Sequence, residues 1–303
     1  MPVAVDTDMF RTVLEGLRTA LYVVDLEGRT LFWNDGAERI TGYLRQDVVG
    51  RVCGESFLGE AEGDEEESRG GLRSIAAVIR DGKIIKAEIS LRHKNGHRIP
   101  VQLRAFPIRN ARGAIVGVAE SFEETISVSD WDRRHTKLAT YGCLDQASGV
   151  LNHGMVESHL RENLGTFVAH PVPFSILSIE IDHLDKIQAR DGPGAIAATI
   201  RVVGQTLENS LRPTDFLGRW QENHFLAVLT ECNEWEIARA ADRLRRMASA
   251  SKIEWWGDFI PVTISLGATS AKPGDTVEGI VARAMQALSE SIKQGGNRTT
   301  VRK

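Results

Sequence analysis

Cysteine is scarce: Cys53, Cys143 and Cys232 are scattered, odd in number and without CxxC spacing. That argues against a disulfide scaffold and for a reduced, intracellular setting. There is no basic excess either, since 37 Lys and Arg face 41 Asp and Glu for a net charge of -4. With no positive field, a general reason to expect nucleic-acid binding is missing. No apolar run approaches the roughly 18 residues that span a bilayer. The acidic start, Met1 to Phe10, lacks the character of a signal peptide. The expectation is therefore a cytoplasmic protein without membrane association. No Ser-His-Asp or Cys-His ordering rises above coincidence. What is present is 303 residues, 42% of them hydrophobic, enough for two domains with cores of their own.

Asp8 to Thr19 reads as a short amphipathic helix, with Phe10, Val13, Leu14 and Leu17 on one face. Ala20 to Val24 and Thr30 to Trp33 read as strands, reversed at Asp25 to Gly28 by a glycine suited to positive φ. Asn34 to Ile40 is a helical turn opened by an Asn cap and closed at Thr41-Gly42, and Arg45 to Val49 is another. Between Gly59 and Gly71 a dense run of Glu60, Glu62, Asp64, Glu65, Glu66 and Glu67 reads as a solvated loop. Three strands follow, at Ile84 to His93, Arg98 to Ile108 and Ala114 to Phe122. Lys94-Asn95-Gly96 and Asn110 to Gly113 join them as hairpin turns.

Two strands, short helices and a three-strand meander resemble the PAS domain family over roughly Met9 to Glu123. The resemblance is carried by Val24 to Gly28, Trp33-Asn34 with Ala37-Glu38, Thr41-Gly42-Tyr43 and Lys94-Asn95-Gly96. It implies a five-stranded antiparallel sheet with flanking helices, a sensor or dimerisation role, and a cavity for an unidentified small molecule. His93, His97 and Cys53 could serve a haem or flavin, but ordinary histidines and a small buried thiol are the favoured reading.

Glu124 to Cys143 places Val128, Trp131, His135 and Leu138 at heptad-like spacing, which suits either a dimerising coiled coil or a plain amphipathic linker helix. Past Leu144 a helix starts after His153, and Pro173 to Ile181 is the best buried-strand candidate in the chain. Gly194 to Leu211 forms an apolar-striped helix. A hairpin follows, with strands at Asp215 to Gly218 and Phe225 to Leu229 around a turn at Gln221 to His224. Helix Glu236 to Ala250, strand Phe259 to Ala268 and helix Thr276 to Ile292 close the series. The order β-α-β-β-α-β suggests one sheet with helices on one side.

These elements resemble the GGDEF domain of diguanylate cyclases, which condense two GTP molecules into cyclic di-GMP. The matching strings are Asp145 to Asn152, Glu180 to His183, Arg219 to Phe225, Val262 to Gly267 and Gly295 to Arg298. The resemblance implies an α/β sandwich with a central mixed sheet, so that the whole chain is α+β. Its domains would be residues 1–123 (PAS), 124–143 (linker helix) and 144–303 (GGDEF). In the active family the hairpin turn carries two glycines followed by two acidic residues, the second serving catalysis and metal binding. Here Gln221 and Glu222 replace the glycines, and Asn223 and His224 replace the acidic pair. The two long side chains would fill the space where bare backbone meets phosphate, and neither Asn nor His replaces a carboxylate on Mg²⁺ well. The first metal aspartate corresponds to Glu180, the guanine-reading positions to Gln188 and Ala197, and the phosphate-facing basic positions to Asp185, Ile292 and Gly296. The expectation is a degenerate domain without catalytic residues and with no metal site, Glu180 and Asp182 being weak candidates for one. The alternative is a diguanylate cyclase or related nucleotide enzyme with residual or altered activity.

Arg212-Pro213-Thr214-Asp215 matches the family's RxxD site, where guanidinium and carboxylate bind cyclic di-GMP. The same two residues suit a helix end and a strand start. The expected partners are a second copy, through the PAS domain and linker helix, and a protein of cyclic di-GMP signalling. Glu180, Asp182, His183 and Asp185 form a strand-end cluster that is either a divalent-ion site or a solvated loop. Trp255-Trp256 is either an exposed patch or packing on a helix.

Overall fold

A computed structural model describes residues 7–53, 70–124, 138, 141–170, 172–255 and 258–302. The chain divides into two compact units, Met1–Ser127 and Val128–Lys303. The acidic run at 60–67, Pro171, Trp256 and most of the linker segment lie outside the described residues.

In the first unit α1 (Thr7–Glu15) precedes β1 (Ala20–Val24) and β2 (Thr30–Trp33), with α2 (Asp35–Thr41) and α3 (Arg45–Val48) following. Helix α1 stops four residues short of Thr19, because the chain must turn into β1. Asn34 makes that corner. Its Oδ1 accepts from Ala37 N at 2.9 Å and Leu21 N at 2.8 Å, and its Nδ2 donates to the carbonyls of Leu14 and Thr19, both at 3.0 Å. One side chain thereby caps α2 and ties it to α1 and β1. Gly42, at φ 74°, ends α2 in the left-handed region.

Helix α4 (Gly70–Asp81) was not anticipated from the sequence. Strands β3 (Ile85–Arg92), β4 (Arg98–Arg109) and β5 (Ile115–Glu124) complete an antiparallel sheet of order β2-β1-β5-β4-β3. Its core is built around Trp33, Tyr22 and Phe122, with Tyr22 5.4 Å from the Trp33 ring and 6.2 Å edge-on to Phe122. A surface groove of about 530 Å³ is lined by residues including Arg11, Leu31, Trp33, Leu44 and Arg45. His93 and His97 stack at 4.3 Å, and burial pushes the His97 imidazole down to about 3. Cys53 is buried in the core.

The second unit runs α5 (His153–Ala169), β6 (Ser175–Ile181), α6 (Leu184–Asp191), α7 (Pro193–Asn209), β7 (Phe216–Gln221), β8 (His224–Leu229) and α8 (Glu236–Ser249). It ends in β9 (Lys252–Trp255), β10 (Asp258–Pro261), β11 (Ile264–Ser270), α9 (Val277–Lys293) and β12 (Thr299–Val301). The expected strand from Phe259 to Ala268 is two strands. β10 pairs with β9 in a ribbon, and β11 joins the main sheet beside β6. The break follows Pro261, which has no N–H to give to a ladder. The main sheet is mixed, in the order β12-β11-β6-β8-β7, with β12 parallel to β11 and the other pairs antiparallel.

Helices cover both faces of this sheet, not one. Leu177, Ile179 and Ile181 join Phe225 and Ala227 in a core with Val203, Leu207 and Leu244. The alternate residues Ile176, Leu226 and Val228 join Val156, Leu160, Ile280 and Ala284 in another. Strand parity sends successive side chains to opposite faces, so a strand buried along nearly its whole length, as β6 is, needs a cover on each. The helix at α6 also escaped the sequence reading. Trp255 packs over Gly194 at the start of α7, which places it against a helix and not in an exposed patch.

Candidate functional site

The sequence-predicted positions converge where β6 ends and the β7–β8 hairpin turns. Only Glu222 and Asn223 form the turn, since Gln221 ends β7 and His224 begins β8. Gln221 and Glu222 are exposed, and the Asn223 carbonyl accepts from Ile181 N at 3.3 Å, which pins the hairpin to β6. Arg219 braces it from behind: its Nε donates to the Gln221 carbonyl at 2.9 Å, and its guanidinium lies 5.4 Å from the Phe225 ring.

Register places Glu180 of β6 directly across from His224 of β8. Their side chains meet, with His224 Nε2 2.5 Å from Glu180 Oε2. Both are largely buried, with side-chain exposures of 18% for His224 and 25% for Glu180. The other ring nitrogen, Nδ1, is buried and makes no hydrogen bond among the described residues. Directly opposed side chains on adjacent strands are the closest neighbours a sheet offers. The contact thus follows from the register and from an imidazole at 224, which carries a ring nitrogen able to donate to a carboxylate.

Asp182, two residues on, is fully employed elsewhere. It accepts from Thr263 Oγ1 and Ser265 Oγ, both at 2.7 Å, and from Asn297 N at 2.9 Å. These bonds tie the end of β6 to β11 and to the segment before β12. Replacing Asp182 by alanine would leave buried hydroxyl and amide donors without an acceptor. The expected loss of stability is about 2–4 kcal/mol, read as a lower urea midpoint for the second unit. A midpoint unchanged from the parent would show that these bonds do not hold the strand ends together.

A divalent cation of the Mg²⁺ type does not fit these residues. It wants several hard oxygens, and of the two candidate ligands Asp182 is bonded to Thr263, Ser265 and the Asn297 amide while Glu180 has its Oε2 taken by an imidazole. Among the described residues no group of three or more His, Cys, Asp and Glu side chains is placed to hold a metal ion. His183 opens α6 in a left-handed conformation at φ 57°, and Asp185 and Gln188 lie exposed on that helix. Ala197 and Ile292 are exposed as well, and Gly296 lies against the Asp182 carboxylate. None of these supplies a cation to a polyphosphate.

Arg212 and Asp215 occupy the turn between α7 and β7. Asp215 accepts backbone N–H bonds from Arg212 at 3.0 Å and from Thr230 at 3.1 Å. Burial raises its carboxyl above the ordinary carboxylate range, and the two backbone bonds and the charges of Arg212 and Arg243 oppose that rise. The carboxylate is a staple of the turn, while the Arg212 side chain faces solvent. Arg243, on α8, was missed by the sequence reading, because nothing in local spacing relates it to a turn thirty residues earlier.

The family description "Diguanylate cyclase, GGDEF domain" matches residues 143–298, and "PAS domain" matches residues 18–125. Diguanylate cyclase DosC of Escherichia coli is 26% identical over 156 residues, which are 51% of this chain and 34% of that protein. This chain thus spans about a third of that relative's length. Among solved structures, diguanylate cyclase SiaD of Pseudomonas aeruginosa, in complex with its activator SiaC, superposes with a TM-score of 0.53 at 22% identity. That match covers 58% of this chain and 69% of SiaD. The GGDEF domain of DgcB from Caulobacter crescentus, in complex with cyclic di-GMP, gives 0.51 at 20% identity, over 53% and 93%. At these identities the superpositions establish the fold of the second unit. No helix among the described residues is long and apolar enough to cross a membrane.

Proposed function

The chain belongs to the GGDEF-domain family of diguanylate cyclases and carries a PAS domain ahead of that domain, and from this premise we propose that its GGDEF domain has lost GTP condensation and serves as a signalling module. The observation that carries the proposal is the hydrogen bond between Glu180 and His224. The two positions that would share a metal ion in an active relative bond to each other. Around them Gln221 and Glu222 stand in place of glycines, and basic residues are missing from the phosphate side. Phosphoryl transfer rests on positioning and on electrostatic stabilisation of the phosphates, so these losses remove its means together.

In this reading a PAS-side event passes to the GGDEF domain of a homodimer and then to a protein partner in cyclic di-GMP signalling. Arg212 and Asp215 make the domain a candidate receptor for cyclic di-GMP. An exposed guanidinium can take a guanine edge or a phosphate with two bonds, and the stapled Asp215 carboxylate keeps lone pairs for a guanine N–H. Calorimetric titration of the chain with cyclic di-GMP is expected to saturate. Arg212→Ala should weaken binding about tenfold or more, the scale of one lost bidentate base contact. Absence of saturable heat in the parent protein would end the receptor role and leave a scaffold acting through protein contacts alone.

A second reading draws on the relatives, which are named as diguanylate cyclases. In it the domain retains an altered nucleotide chemistry, with the Glu180–His224 pair opening when nucleotide arrives.

A further inference from the structure

Glu120 is an anomaly in the core of the first unit. It lies in the middle of β5, paired with Tyr22 of β1 on one side and Ala105 of β4 on the other, and is fully buried. Its two carboxyl oxygens are held by hydroxyls from different elements. Tyr22 Oη bonds Oε2 and Ser74 Oγ, on α4, bonds Oε1. Tyr22 is 0% and Ser74 3% exposed. Among the described residues the titratable or polar groups facing this cluster are Tyr22 from β1, Ser74 from α4 and the buried Cys53 thiol, and β4 places Ala105 directly across from Glu120. Among the described residues that act on the carboxyl no cation appears.

A carboxyl buried without a cation is cheaper neutral than charged. Neutral, it donates its own proton to one hydroxyl and accepts from the other. Ionised, it can only accept, and the charge draws water. Water can enter by lifting an element that covers the sheet without being part of it. Of the described covering elements α4 is the one whose side chain bonds the carboxyl, through Ser74, and its apolar Ile75 and Val78 help to complete the core.

We propose that Glu120, Tyr22 and Ser74 form a proton-sensitive latch, in which ionisation of Glu120 loosens α4 from the sheet of the PAS domain. Burial pushes the Glu120 carboxyl up to about 7 from an ordinary 4.5, against the lowering effect of the Ser74 and Tyr22 hydroxyls. Because the folded value is the higher one, the closed state holds a proton that the open state releases. The stabilisation of the latch is complete below about 4.5, declines as pH rises from there toward about 7, and is absent above. The signal read by this domain would be the proton itself. The latch belongs to the first unit only, so its failure would leave the reading of the GGDEF domain untouched.

Hydrogen exchange of the full chain, followed at peptides covering Gly70–Asp81 and corrected for the intrinsic effect of pH, tests the latch. Opening of α4 is expected to increase about tenfold between pH 6 and pH 8, the factor that follows from one group titrating across that window. Peptides of the second unit serve as the internal reference. Glu120→Gln, a neutral side chain of the same shape, should hold α4 closed at both pH values. Exchange of α4 that does not change with pH in the parent chain, or changes equally in Glu120→Gln, would overturn the proposal. Should Glu120→Gln fail to fold, infrared difference spectra of the parent chain decide. A protonated-carboxyl band lost between pH 6 and pH 8 supports the latch, and its absence at pH 6 overturns it.

Discussion

Replacing Gly267 by valine is expected to prevent the second unit from folding while leaving the first intact. Gly267 sits in the middle of β11, where α9 crosses with its backbone against the strand. A Cβ at this position would lie 2.1 Å from both the Ala284 carbonyl oxygen and the Leu288 nitrogen, and 2.7 Å from Leu288 Cα. All three are backbone atoms of one helix, so no side chain can rotate away. The strand cannot retreat either, for Gly267 is paired with Ser178 of β6 on one side and Thr300 of β12 on the other. Relief would require lifting α9, and with it Ile280, Val281 and Ala284, out of the core they share with Leu226 and Val228. Ordinary overpacking costs about 1–3 kcal/mol because neighbours yield. Here they cannot, and a domain holds only about 5–15 kcal/mol in total. Calorimetry of the variant should show the thermal transition of the second unit lost and that of the first retained. An unchanged pair of transitions would contradict the close approach of α9 to β11.

The same residue shows how unevenly the sequence disclosed the fold. Val262 to Gly267 was recognisable as the closing strand of a family domain, yet nothing local says that Gly267 is glycine because a helix lies on it. Strands β1 and β2 were read to the residue, since alternation and the turn at Asp25 to Gly28 are local signals. Helix α4 was not, although Ile75, Val78 and Ile79 carry helical spacing, because the acidic run before it masks the start of that spacing in the sequence. The second cover of the GGDEF sheet was missed for a different reason. The apolar residues of β6, Ile176, Leu177, Ile179 and Ile181, fall on both faces and so call for two covers, but do not say which helices supply them. In the candidate site, the residues at 180, 182 and 221–224 were all legible as departures from a pattern. Their relations were not. That Glu180 faces His224, and that Asp182 is consumed by Thr263, Ser265 and the Asn297 amide, depends on the register of three strands brought together from distant parts of the chain. Glu120 passed unremarked because a single acidic residue in a strand looks like a solvent-facing one until its neighbours are known.

These relations sharpen the account of the hairpin. Substitution of the signature residues alone would leave room for compensation by nearby groups. The two candidate carboxylates are both engaged: Asp182 is withdrawn into the fold, and Glu180 is bonded by His224, which stands at the second acidic position of the signature. Removing one preorganised contact to a developing charge costs about 10²–10³ in kcat. In the proposed reading the contacts to metal, base and phosphate are lost together, and such effects reinforce one another when the residues act as a unit. The predicted turnover therefore falls below detection.

The most direct measurement supplies the purified full chain with GTP and either Mg²⁺ or Mn²⁺ and quantifies cyclic di-GMP by chromatography. The account predicts no product above a blank without protein, with either metal, over hours. Product that rises in proportion to protein concentration, and disappears in Glu180→Ala, would contradict it and establish the domain as a working cyclase.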